Sequence, residues 1–135
     1  MNCLHFVSDF DFDALYAKKF FDECSNPENI NILYLLSEGR ISTLPWNGDI
    51  LRKRNYDRIA DIFKNPHVVI VLCNQPELVQ SFYLHYVRTG GSIPWSDFLR
   101  PKHSGIWWAD YLKYGNYVRY LNNIFGKERV QVLFY

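Results

Sequence analysis

The run VVIVLCNQPELVQSFYLHY, residues 68–86, changes character at Cys73. Before it stands an unbroken row of aliphatic residues. After the loop Cys73-Asn74-Gln75-Pro76 the apolar residues recur at helical spacing. A buried strand that opens through a polar loop into a helix places unpaired amide donors where an anion could be held. Two further groups carry polar chemistry at the ends of apolar runs. Asp9, Asp11 and Asp13 fall in SDFDFDALY (8–16), and Ser37-Glu38-Gly39-Arg40 follows INILYLL (30–36).

These groups need elements to position them, and the chain supplies alternating strands and helices. Residues 3–7, 30–36, 67–73 and 129–135 read as apolar strands. Between the first two, Phe12, Leu15, Tyr16, Phe20 and Cys24 share one face of a predicted helix. A second helix, about Ile50 to Phe63, carries Ile59, Ile62 and Phe63 inward and Arg52-Lys53-Arg54 outward as a solvated face. Pro76 suits the first turn of a third helix, whose stripe Leu78, Val79, Phe82, Tyr83, Tyr86 and Val87 runs to Gly90-Gly91. A brief helix ends near Leu99, and a long one from about Trp107 to Phe125 places Tyr111, Val118, Leu121 and Phe125 on a stripe. This order predicts one α/β domain, residues 1–135, with a parallel sheet covered by helices on both faces. Ligand groups in such folds gather at the carboxyl ends of the strands.

Composition narrows the function classes. A chain of 135 residues with 48% apolar and 21% charged residues is globular and long enough to bury a core. A net charge of +1 supplies no general field for nucleic acid. Cys3, Cys24 and Cys73 are odd in number and widely spaced, so neither a disulfide framework nor a zinc site is expected. The opening MNCLHFVSD lacks a signal-peptide pattern, and no apolar run is long enough to span a membrane. The expectation is a cytoplasmic protein with no metal and no nucleic-acid partner. Aromatics at 18% suit a packed core, a sugar-binding surface or a partner interface.

From Tyr34 to Tyr135 the chain resembles the sulfotransferase family, especially its bacterial and carbohydrate-type branch. Three ordered segments carry the resemblance: LLSEGRISTLPW, VVIVLCNQPELVQSFYLHYVRTGG and GNYVRYLNNIFGKERVQVLFY. The resemblance implies a P-loop-like architecture and transfer of a sulfuryl group from 3′-phosphoadenosine 5′-phosphosulfate (PAPS) to a hydroxyl of a carbohydrate or small acceptor. It also implies that Ser81, with Cys73 and Asn74, lies at the 3′-phosphate, and that Glu38 is the base that takes the acceptor's proton. The residues alone also allow Ser81 as an ordinary helix serine and Glu38 as a solvated loop carboxylate. Arg40, Arg88, Arg100, Lys102 and His103 would line a groove for an anionic glycan or stand as scattered surface cations.

Two departures from the family pattern bear on activity. The position matched by Cys73 holds an arginine in the family. A thiol there forfeits a bidentate phosphate contact worth about 1.5–3 kcal/mol. The first strand leads in the family into a glycine- and threonine-rich loop with a lysine. Here it leads into SDFDFDALY, whose carboxylates repel an anionic donor and whose Phe10 and Phe12 block close backbone approach. The expectation is therefore a partial or degenerate sulfotransferase-like domain. The chain stops at VLFY, so the fold is expected to be incomplete at its C-terminus.

Two other classes compete. Asp9-x-Asp11 after an apolar strand resembles the magnesium-dependent haloacid-dehalogenase-type phosphatases, in which one Asp attacks phosphorus and the next serves as acid/base, with Ser37 as the phosphate holder. That chemistry also requires acidic metal ligands after a later strand, and Cys73-Asn74-Gln75 offers none. The third class is a non-catalytic module that uses the same fold and its aromatic surface to bind a glycan or another chain.

Overall fold

A computed structural model describes residues 11–24, 35, 37, 48–100 and 111–135. Helices α1 (Ala14–Cys24) and α2 (Gly48–Ile62) precede strand β1 (Val68–Leu72). Helices α3 (Gln75–Arg88), α4 (Trp95–Phe98) and α5 (Tyr114–Phe125) then lead, through a short 3-10 turn at Lys127–Arg129, to strand β2 (Val130–Phe134).

The two strands pair in parallel, with Val68 opposite Val130 and Leu72 opposite Phe134. Parallel pairing requires a long crossover, and the three helices between the strands provide it. The backbone ladder extends by one bond, Tyr135 N to Leu72 O at 3.0 Å. Alternation fixes the faces. Ile70 and Leu72 are buried and Val68, Val130 and Val132 pack beside them. Val69 and Val71, on the opposite face, are 56% and 59% exposed.

The chain is thus a mixed helix-and-strand fold with a parallel strand pair. The expected strands 67–73 and 129–135 are present, each one residue shorter at both ends. The expected strands 3–7 and 30–36 lie outside the described residues, apart from Leu35, which is 88% exposed and in no strand. Among the described residues, helices cover one face of the pair rather than both.

The core forms where α2 and α5 meet this face. Tyr117, Leu121 and Phe125 recur every four residues along α5 and are all buried. They meet Tyr56, Ile59 and Ile62 of α2 and the inner side chains of β1. The expected helix 107–125 is shorter. Its residues 107–110 lie outside the described residues, and Lys113, with φ −76° and ψ 68°, breaks helical geometry before Tyr114. Tyr111 is buried, but from the turn that precedes α5. Gly126 ends α5 with φ +89°, a conformation that a side chain resists.

Two packing expectations are corrected. The buried stripe of α1 is Ala17, with Phe12 and Phe21 packed against the core, whereas Leu15 and Tyr16 are 80% and 70% exposed. Ala17 and Phe21, four residues apart, share the side of α1 turned to the core, and Leu15 and Tyr16 fall away from it. In α2 the basic run is not a solvated face, because Arg52 is buried and only Lys53 of the three is exposed. Arg58 is buried as well, its guanidinium 4.4 Å from the Phe12 ring centroid.

Candidate functional site

β1 ends at Leu72, and Cys73 and Asn74 form the link to α3. Asn74 sits at the N-cap of α3 with φ −54° and ψ 127°, and its side chain makes no capping hydrogen bond. Pro76 occupies the first turn, where its missing N–H costs nothing. Cys73 is a half-buried free thiol, and Asn74 and Ser81 are exposed. Seven residues apart, Asn74 and Ser81 fall on one side of α3, together with exposed Glu77, Leu84, His85 and Arg88.

Ser81 lies about 9 Å along the axis from the first residue of α3, at 1.5 Å per residue. A thiol at position 73 cannot span that distance to a group held by Ser81. The helix start offers a partial positive charge, and Glu77 in the first turn already answers it. Glu38 lies outside the described residues, as do Asp9, Arg40, Lys102 and His103. The structure therefore places Asn74 at the start of α3, Ser81 along it and Cys73 in the link before it.

Asp13 has a defined structural role. Its Oδ1 accepts the backbone N–H groups of Leu15 at 2.8 Å and Tyr16 at 3.1 Å, which makes it the cap of α1. One of the three aspartates expected to face an anionic donor is thus committed to starting a helix.

The loop after β1 is held from the segment that precedes α5. The Tyr114 hydroxyl donates to the Cys73 carbonyl oxygen at 3.1 Å, and the Gln75 side-chain amide donates to the Leu112 carbonyl oxygen at 2.8 Å. Burial raises the Tyr114 phenol pKa above its ordinary value, and the neighbouring Cys73 adds to the rise. The phenol therefore stays a donor through the physiological range. Beside this tie, a shallow groove of about 480 Å³ opens at the carboxyl ends of both strands. Leu72, Tyr114, Val118, Arg119, Asn122 and Phe134 line it.

Sequence reasoning set Arg52 outward, read Tyr111 as a stripe residue with no tie to this loop, and did not single out Tyr114. Arg52 is 4% exposed and its guanidinium carbon lies 4.1 Å from the ring centroids of both Tyr111 and Tyr117. Both of its terminal nitrogens donate to the Tyr111 carbonyl oxygen at 3.3 Å. Burial raises the Tyr111 phenol pKa, and Arg52 partly offsets the rise. A signal was present: Arg52 falls in helical phase with Tyr56, Ile59 and Phe63, on the side of α2 that faces the core. Among the described residues no group of three or more His, Cys, Asp or Glu side chains could hold a metal ion, and no helix is long and apolar enough to cross a membrane.

Comparisons with protein-family models, with curated proteins and with solved structures find no match.

Proposed function

We propose that the chain is a sulfotransferase-like domain of P-loop-like architecture that takes the 3′-phosphate end of an adenosine bisphosphate nucleotide along the β1–α3 edge. The observation that carries this reading is the shared exposed side of α3, where Asn74 and Ser81 stand beyond the end of a strand in a parallel pair. In this reading the donor is PAPS and the acceptor is a hydroxyl of a carbohydrate or small molecule. The acceptor oxygen attacks sulfur, the bond from sulfur to the 5′-phosphate oxygen breaks, and Glu38 takes the hydroxyl proton. The neutral Cys73 leaves the 3′-phosphate short of a cation, so binding is weaker than an arginine at that position would give.

Calorimetric titration with 3′-phosphoadenosine 5′-phosphate tests this. The expected result is one-site binding that weakens with added salt and exceeds the binding of adenosine 5′-phosphate, which lacks the 3′-phosphate. Equal binding of the two nucleotides, or none, would remove the reading.

A non-catalytic reading also has an observation in its favour. Tyr83, Tyr86, Trp95 and Phe98 pack as one ring cluster, with Tyr83 5.0 Å from both Trp95 and Phe98. Trp95, Leu84 and Val87 are 47%, 47% and 46% exposed. A held aromatic surface of this kind suits a glycan or another chain, and binding there without nucleotide affinity would favour the module over the transferase.

A further inference from the structure

We infer that Arg52 is the positioning residue of the loop after β1, acting through the segment 111–114 that reaches from α2 to that loop. Its consequence for ligand affinity rests on the nucleotide reading above, whereas the mechanical coupling does not.

Each link in the coupling is a hydrogen bond. The Arg52 fork holds the Tyr111 carbonyl through both terminal nitrogens at 3.3 Å. One residue on, the Leu112 carbonyl takes the Gln75 amide at 2.8 Å. Two residues further, the Tyr114 hydroxyl donates to the Cys73 carbonyl at 3.1 Å. The path thus leaves α2, crosses three residues of one short segment, and ends on both sides of Asn74.

Physical chemistry explains why an arginine holds this position. Burying a guanidinium carries a large desolvation cost. Here two aromatic faces at 4.1 Å and a shared carbonyl acceptor offset it. A planar fork between two rings has little freedom, so the carbonyl it holds is fixed in direction as well as distance. A lysine would keep the charge and lose the fork. A methionine would keep much of the volume and lose both. The Tyr117 ring belongs to the core stripe of α5, so the fork is referenced to the rigid part of the molecule. Residues 111–114 are thereby set by the core, and the loop at 73–75 is set by them.

The test uses Arg52→Lys and Arg52→Met in the full chain with two readouts that need no ligand. The first is the alkylation rate of Cys73 by iodoacetamide, resolved by peptide mass spectrometry. The second is amide hydrogen exchange over residues 73–78, referenced to peptides of α5. The expected result is about fivefold faster alkylation and exchange at 73–78, the worth of one hydrogen bond, with α5 exchange changed less. Tyr114→Phe removes only the last link and should reproduce the Cys73 effect without touching Arg52, which keeps the inference testable if an Arg52 variant does not fold. Unchanged Cys73 alkylation and unchanged 73–78 exchange in folded variants would overturn the inference. Titration of the same proteins with 3′-phosphoadenosine 5′-phosphate separates the two questions. A loosened loop in a chain that never binds the nucleotide removes the transferase reading and leaves the coupling standing.

Discussion

Tyr56 and Tyr117 meet hydroxyl to hydroxyl at 2.6 Å inside the core, joining α2 to α5. Their rings are tilted by 54° with centroids 5.8 Å apart, so one contact is both a hydrogen bond and an aromatic pair. Both side chains are buried, so the hydrogen bond is shielded from water.

Removing one hydroxyl should cost more than removing both would suggest. Tyr117→Phe takes away the partner of the buried Tyr56 hydroxyl, a cost of about 1–3 kcal/mol, and Tyr56→Phe breaks the same buried hydrogen bond from the other side. The double variant removes donor and acceptor together and should be destabilised by less than the sum. Urea unfolding of the four proteins in a double-mutant cycle checks this, and strict additivity would show that the pair is not coupled.

How much of this was legible from the sequence depended on whether polarity and burial agreed. Strands 68–72 and 130–134 stood out because apolar, β-branched runs bordered on loop residues, after the first and before the second, and Gly126 marked the end of α5. The α5 stripe was readable at Leu121 and Phe125 for the same reason. Where polarity and burial disagreed, pattern reading failed. Arg52 and Arg58 are charged and buried, and Leu15 and Tyr16 are apolar and exposed. In α1 the buried residue is Ala17, whose small side chain carries little hydrophobic signal. Of the candidate site, position along α3 was legible, because Asn74 and Ser81 need only helical phase. The ties from Tyr114 and Gln75 were not, since they join residues 41 and 37 positions apart.

Leu121 is fully buried at the centre of the α2–α5–β1 contact. Leu121→Ala should destabilise the fold by about 2–5 kcal/mol, the range for deleting a core leucine and leaving a cavity. Leu133→Ala, on a side chain 43% exposed, should cost far less. Comparing the midpoints of urea denaturation for the two variants checks the assignment of the core face of the sheet.

The Tyr120 hydroxyl donates to the Asp57 carboxylate and lies 3.2 Å from the Lys53 carbonyl oxygen. Burial, then the hydrogen bond and the negative charge of Asp57, raise its pKa well above 10.0. The folded state therefore holds this proton more tightly than the unfolded chain. The resulting stability is complete below about pH 10, the ordinary phenol pKa, and is lost as pH climbs above it toward the folded value. Tyr120→Phe should lower stability at neutral pH and flatten the alkaline fall. It should not abolish that fall, because burial also raises Tyr111 and Tyr114. Denaturation midpoints between pH 8 and 11 for wild type and variant would show it, and parallel alkaline slopes would contradict it.

The neutral residue at the end of β1 gives the sharpest test of the nucleotide reading. Cys73 is half-buried, and Ser81 stands about two turns along α3, beyond the reach of a thiol. An arginine at position 73 is long enough to approach the same ligand group and brings a charge-assisted contact. Cys73→Arg should therefore raise affinity for 3′-phosphoadenosine 5′-phosphate about tenfold or more, the effect of one charged hydrogen-bonding contact. The gain should shrink at high salt if the partner is a partly exposed phosphate. It should also fall when Ser81→Ala is added, if arginine and serine hold one phosphate, so the two effects would not add. Titrations of wild type, both single variants and the double variant decide it. No gain from the arginine would mean that no phosphate lies along this side of α3, and Ser81 would then be an exposed helix residue and nothing more.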